Sequence, residues 1–125
     1  MEVTPLLTIN KQVIKAYNSN GFDVNGEHFT GNIFVLPNKT EYWEVSVNAD
    51  KLEPTDFEKH LSNQLIDVLL IGTGNTFIMV SENIRSSMRK IGIGVESMDT
   101  SAACRTYNIL LSEGRNVAAA LIVSE

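Results

Sequence analysis

The clearest pattern of apolar and polar positions lies in residues 92–122, where a short strand, a helix and a second strand follow one another with marked ends. Residues 95–98 form the first strand. Asp99 or Thr100 stands where a helix N-cap accepts an orphan backbone N–H of the first turn. Within the helix, Ala103, Cys104, Tyr107, Leu110 and Leu111 recur at helical spacing and mark the buried stripe, and Gly114 supplies the left-handed residue that lets the chain leave. Residues 117–123 then run apolar without interruption, small in the middle, as a strand covered on both faces does.

The front of the chain alternates with the shorter period of β-structure. Residues 12–18 and 22–36 are rich in Val, Ile, Phe and Tyr, broken by turn signals at 18–21 and at Asn25-Gly26, a strong hairpin dipeptide. Residues 33–36 make a further strand stopped by Pro37. Residues 42–47 predict another, with Trp43, Val45 and Val47 alternating against Glu44 and Ser46, which makes core the default for Trp43 and a partner-binding surface with Tyr42, Phe34 and Phe29 the alternative.

The character changes near Glu53. Pro54 and the capping-box pair Thr55 and Glu58 predict a helix over 55–63 with Phe57 and Leu61 inward. Residues 68–71 are a buried strand ending in Gly72-Thr73-Gly74, and a helix from about Ser81 to Lys90 puts Ile84 and Met88 on one face. Strand and helix alternate to the end, so right-handed crossovers build a parallel or mixed sheet with helices packed on it. The 125 residues make a single domain of α/β class with an antiparallel β portion at its front.

Charge narrows the functions. With 10 Lys and Arg against 15 Asp and Glu, the net charge of −5 opposes nonspecific binding to nucleic acid or anionic membrane. Every arginine lies between Arg85 and Arg115, which leaves room for a local cationic site but not a basic face. A single cysteine, Cys104, allows no internal disulfide and no cysteine-based zinc site. No basic segment precedes an apolar stretch at the start, and no apolar run reaches spanning length, so a cytoplasmic protein without membrane insertion is expected.

Candidate chemistry gathers at two loops, Gly72-Thr73-Gly74 and Met98-Asp99-Thr100-Ser101, each following the carboxyl end of a strand. In open α/β sheets ligands bind there, and exposed N–H groups at a helix start attract anions. Gly72, Thr73, Gly74, Asp99, Thr100, Ser101 and Arg105 are therefore the candidate ligand-binding residues. Each has a plainer reading. The Gly-Thr-Gly lacks the further glycine of the dinucleotide fingerprint and the Lys of the P-loop and serves equally as a tight turn, and Asp99 and Thr100 serve as caps. Arg105 either holds a carboxylate or phosphate or pairs internally with Asp99 or Glu96. Cys104, near a helix start and beside Arg105, has the setting of a nucleophile, but its place on the apolar stripe marks it as buried. His28 and His60 stand in a hairpin and on a helix far from it in sequence. No catalytic set, metal-ligand spacing or cofactor motif emerges.

Residues 69–74 with Phe77, Gly92-Ile93-Gly94-Val95-Glu96, Met98-Asp99-Thr100, residues 102–108, Glu113-Gly114-Arg115 and residues 117–121 together resemble the Mth-like (Mth938-type) domain family of unknown function. The resemblance spans nearly the whole chain, is most specific in the second half, and extends to the front hairpin through residues 31–37. Members include a mitochondrial respiratory complex I assembly factor and an adipogenesis-associated Mth-like domain protein. The resemblance implies a three-layer α/β domain, with a mixed central sheet, helices on one side and a smaller β layer on the other. It implies no established enzymatic activity and no cofactor. Two departures stand out: no targeting presequence precedes the domain, as in a bacterial-type protein, and residues 77–80 lack a proline that relatives often carry before the helix. The expected role is a noncatalytic interaction or assembly factor for complex I or another membrane complex, with a protein partner and possible self-association. The alternative is a small-molecule or anion-binding protein, or an enzyme, using the crevice at the strand ends.

Overall fold

The structure is a computed structural model that describes residues 11–45 and 48–124. Three strands come first, β1 (Ile14–Asn18), β2 (Gly21–Val24) and β3 (Glu27–Phe29), and they form a small antiparallel sheet in that order. Asn25 and Gly26 both take positive φ, 54° and 90°, between the paired residues Val24 and Glu27. That is the two-residue turn whose twist matches the flanking strands.

A second sheet has the order β5-β4-β8-β6-β7, built from β4 (Ile33–Val35), β5 (Thr40–Tyr42), β6 (Val68–Gly72), β7 (Gly94–Met98) and β8 (Val117–Leu121). β6 pairs parallel with both β7 and β8, whereas β4 runs antiparallel to β5 and β8. The sheet is mixed, as the sequence implies. Three helices pack on it: α1 (Thr55–Leu61), α2 (Glu82–Arg89) and α3 (Thr100–Ser112).

The order explains the layers. The chain leaves β6 for its neighbour β7 through α2, then returns past β6 to β8 through α3. Right-handed crossovers in opposite directions place their helices on opposite faces. Two cores result. On one face Phe34, Leu69, Ile71, Ala118 and Ala120 meet Phe57 and Leu61 of α1 and Ile84 and Met88 of α2. On the other, Ile33, Val35, Leu70, Ala119 and Leu121 meet Ala103, Cys104 and Tyr107 of α3 together with Phe22, Val24 and Phe29 of the small sheet. The resemblance implied helices on one side only. Instead the longest helix shares its layer with the antiparallel sheet, because the crossover to β8 runs back over the sheet.

β8 is buried at all five positions, and its central alanines let both layers approach closely. The capping box expected at Thr55 and Glu58 does not form: α1 starts behind Pro54 without a side-chain cap, and the Asp56 carboxylate instead accepts from the Glu53 N–H at 2.8 Å. α1 also stops at Leu61 rather than 63, since Ser62 is extended and Asn63 turns left-handed at φ 61°. The strand expected over 42–47 is the shorter Thr40–Tyr42, and positions 46 and 47 lie outside the described residues. Trp43 is nevertheless core at 2% exposure: its indole N–H donates to the Asp56 carbonyl at 2.9 Å, and its ring lies 5.4 Å from Phe57 and 5.9 Å from Phe34.

Candidate functional site

β6 and β7 are adjacent and parallel, and the chain leaves their carboxyl ends toward opposite faces of the sheet. Such a divergence opens the crevice in which open α/β sheets hold ligands. Gly72, Thr73, Gly74, Asp99, Thr100 and Ser101 do converge there. In this structure, however, their polar groups are engaged in hydrogen bonds that hold the fold together.

Thr73 and Thr100 are the buried polar residues among those described, at 5% and 1% exposure. The Thr100 hydroxyl accepts from the Gly74 N–H at 2.8 Å and donates to the Ile122 carbonyl at 2.5 Å, tying the ends of β6 and β8 to the start of α3. Its own N–H donates to the Gly74 carbonyl at 2.9 Å, and Ile122 N–H donates to Gly72 O at 2.9 Å. On the neighbouring loop the Thr73 N–H donates to Met98 O at 2.9 Å, while its hydroxyl donates to Thr76 O at 2.6 Å and accepts from Ile78 N–H at 3.1 Å. Gly72 is required by closeness: a Cβ there would stand 2.9 Å from the Thr100 hydroxyl and 3.0 Å from its Cα. Asp99 is the cap of α3, its carboxylate accepting from the Ala102 N–H at 2.9 Å. Thr100 is the first helical residue and acts as a latch.

A cavity of about 630 Å³ opens beside this latch, between the turn at Ala49–Lys51 and the Thr73 loop. Asn48, Asp50, Asn75, Thr76 and Ile122 help line it; among the described residues no lysine, arginine or histidine does. It therefore offers an anion no countercharge.

Arg105 lies apart from that cavity. One guanidinium nitrogen donates to the Ser101 hydroxyl at 2.6 Å and to the Tyr17 hydroxyl at 3.2 Å, and the two hydroxyls are 3.1 Å apart. The internal pair with Asp99 or Glu96 does not form, because Arg105 turns toward β1, away from both acids. One turn further along α3, Asn108 grips the same strand: Ile14 N–H donates to its side-chain oxygen at 3.0 Å, and its amide donates to Ile14 O at 2.7 Å. Ser101, Arg105 and Asn108 thus form a polar stripe that clamps β1 to α3. Their i, i+4, i+7 spacing was visible in the sequence, but Tyr17, the partner more than 80 residues away, was not.

Cys104 is 1% exposed, and burial pushes its thiol up to about 12 despite the neighbouring Arg105 cation. It carries no thiolate at neutral pH and packs as a small apolar residue. His28 is exposed in the hairpin. His60 stacks on Phe34 with ring centroids 4.6 Å apart, and its Nδ1 lies 3.0 Å from a Glu41 carboxylate oxygen. That hydrogen bond, helped by Lys39, holds the Glu41 carboxyl below its ordinary value against the opposing effect of burial. Among the described residues, no three His, Cys, Asp or Glu side chains converge as a metal site would need.

The family model described as "Protein of unknown function (DUF498/DUF598)" matches residues 14–122. A Xenopus tropicalis protein named NADH dehydrogenase [ubiquinone] 1 alpha subcomplex assembly factor 3 is 39% identical over 110 residues, 87% of this chain and 60% of its own length. The chain thus spans about three fifths of the curated relatives it first matches. A crystal structure of a Bordetella parapertussis protein has a TM-score of 0.82 at 32% identity, covering 90% of this chain and 96% of that one. The solution structure of a Bordetella pertussis protein described as an Mth938-like domain has a TM-score of 0.78 at 27% identity, covering 98% of this chain and 90% of its own. With the family model matching residues 14–122 and a solved Mth938-like domain superposing over nearly the whole chain, the chain belongs to the DUF498/DUF598 family of Mth938-like domains.

Proposed function

We propose that this protein is a noncatalytic assembly factor that works by binding protein, acts from the cytosol, and serves the maturation of a respiratory NADH dehydrogenase complex. The observation that carries this reading is the engagement of the crevice. The groups that would hold a substrate, the Gly74 N–H, the Thr73 and Thr100 hydroxyls and the Asp99 carboxylate, serve the fold. The one cysteine is a buried thiol, and a surface is left as the useful property of the domain. Relatives named for complex I assembly support the choice of target. No described helix is long and apolar enough to cross a membrane, which fits a role beside a membrane complex rather than as a spanning part of it.

Deletion of the gene, with assembled NADH dehydrogenase measured on native gels, tests the proposal. The deletion is expected to lower the assembled complex and accumulate subcomplexes, with recovery on re-expression of the wild type. Unchanged complex in the deletion strain would overturn it.

A further inference from the structure

Among the described residues β7 is an outer strand of the five-stranded sheet and pairs with β6 alone. In a parallel ladder the backbone groups of alternate residues point toward the neighbour and away from it. The Gly94 N–H donates to Asp67 O and the Met98 carbonyl accepts from the Thr73 N–H, both at 2.9 Å, so those positions face the sheet. Val95 and Ser97 therefore present their N–H and C=O groups outward. An open edge is a template for another strand, and proteins ordinarily blunt it.

Among the described residues one side chain hydrogen-bonds to that outward row. Arg85 of α2 donates from Nη1 to the Val95 carbonyl at 3.0 Å, and no carboxylate among the described residues pairs with it. Its other terminal nitrogen lies 3.9 Å from the Met79 sulfur, and Met79 is 64% exposed. A groove of about 440 Å³ separates α2 from the strand, with Arg85 and Arg89 on one wall and Val95 and Glu96 on the other. Ser97 adds a buried hydroxyl without a hydrogen-bond partner. An outward backbone row, the exposed Met79 and a cation with no carboxylate partner among the described residues thus lie together.

We propose that the β7 edge is the docking site for an extended, acidic segment of a protein partner, which adds to the sheet as a further strand. Its backbone pairs with Val95 and Ser97, and a carboxylate on its α2 face draws Arg85 off the Val95 carbonyl. Arg85 guards the edge when the protein is alone and holds the partner when it arrives. A second copy of this chain fits poorly: antiparallel pairing of two β7 strands about a twofold would bring both copies of Arg85 onto one face. The proposal rests on the protein-binding role above.

The probe is a capped octapeptide of alternating valine and threonine carrying two glutamates on one face, with a lysine-substituted twin as control. Backbone amide shifts of the full chain are followed by NMR during titration. Expected are shifts centred on Val95 and Ser97, slowed exchange of those amides, and roughly tenfold weaker binding of the lysine peptide. Arg85→Glu should reverse the preference, and Arg85→Gln should abolish it. Equal binding of both peptides, shifts centred on another surface, or no binding would each overturn the inference. In cells, Arg85→Glu should lower the assembled NADH dehydrogenase as the deletion does. Normal assembly in that variant, beside a defect in the deletion strain, would overturn the β7 site while leaving the assembly role standing.

Discussion

Thr100 shows how one side chain closes a site. Its hydroxyl satisfies a donor on the β6 loop and an acceptor beyond β8, and both would otherwise be left unmet in a position where water is largely excluded. An unsatisfied buried group costs roughly 1–3 kcal/mol. Thr100→Val keeps the volume and removes the hydroxyl, so it should lower stability by about 2–3 kcal/mol. Thr100→Ser, which keeps the hydroxyl, should lose less. Urea melts of the two variants make the comparison, and equal midpoints would show that the latch carries no energy. Sequence spacing nominated Thr100 as a cap or a ligand contact, but its partners sit 26 and 22 residues away, beyond what local spacing can report.

At the scale of elements, α3 decides how the layers join. Its apolar stripe of Ala103, Cys104, Tyr107 and Leu111 faces the central sheet, and its polar stripe of Ser101, Arg105 and Asn108 holds β1. The helix starts at Asp99 and leaves through Gly114 at φ 81°, where the Arg115 N–H donates to Leu110 O at 3.0 Å. Both ends were legible because capping depends on residues within one turn. Asp99→Ala should cost about 1 kcal/mol, and Asp99→Asn, which still offers an oxygen to the Ala102 N–H, should cost a few tenths. Thermal melts that place the alanine variant at the wild-type midpoint would refute the cap. α1 shows the opposite outcome: its Thr55 and Glu58 have the spacing of a capping box, yet Pro54 and Asp56 set the start.

For the whole molecule, the two cores on opposite faces of one sheet make opening a shared event. Cys104 sits in the core between α3 and the sheet, so a thiol reagent reaches it only when that layer parts. Labelling of native protein at neutral pH should therefore run roughly a thousandfold or more slower than that of free cysteine and should track global stability. Thr100→Val should speed it in proportion to its lost stability. Labelling at the rate of a free thiol would contradict the packing and return Cys104 to consideration as a nucleophile.

Legible in the sequence alone were the class of the fold, the identity of most elements, the burial of Trp43 and Cys104, and a cap at Asp99 or Thr100, of which the structure selects Asp99. Those properties follow from periods of two and 3.6 residues and from chemistry within a single turn. It also named the two loops that meet at the ends of β6 and β7. What those loops do when they meet followed from the assembled sheet, because Thr100 reaches strands whose order is not written in local spacing. The same holds for the turn of Arg105 toward Tyr17, the placing of α3 beside the small sheet, and the placing of Arg85 over the β7 edge. Each depends on β8 inserting between β4 and β6, a long-range choice made by burying its apolar run on both faces at once.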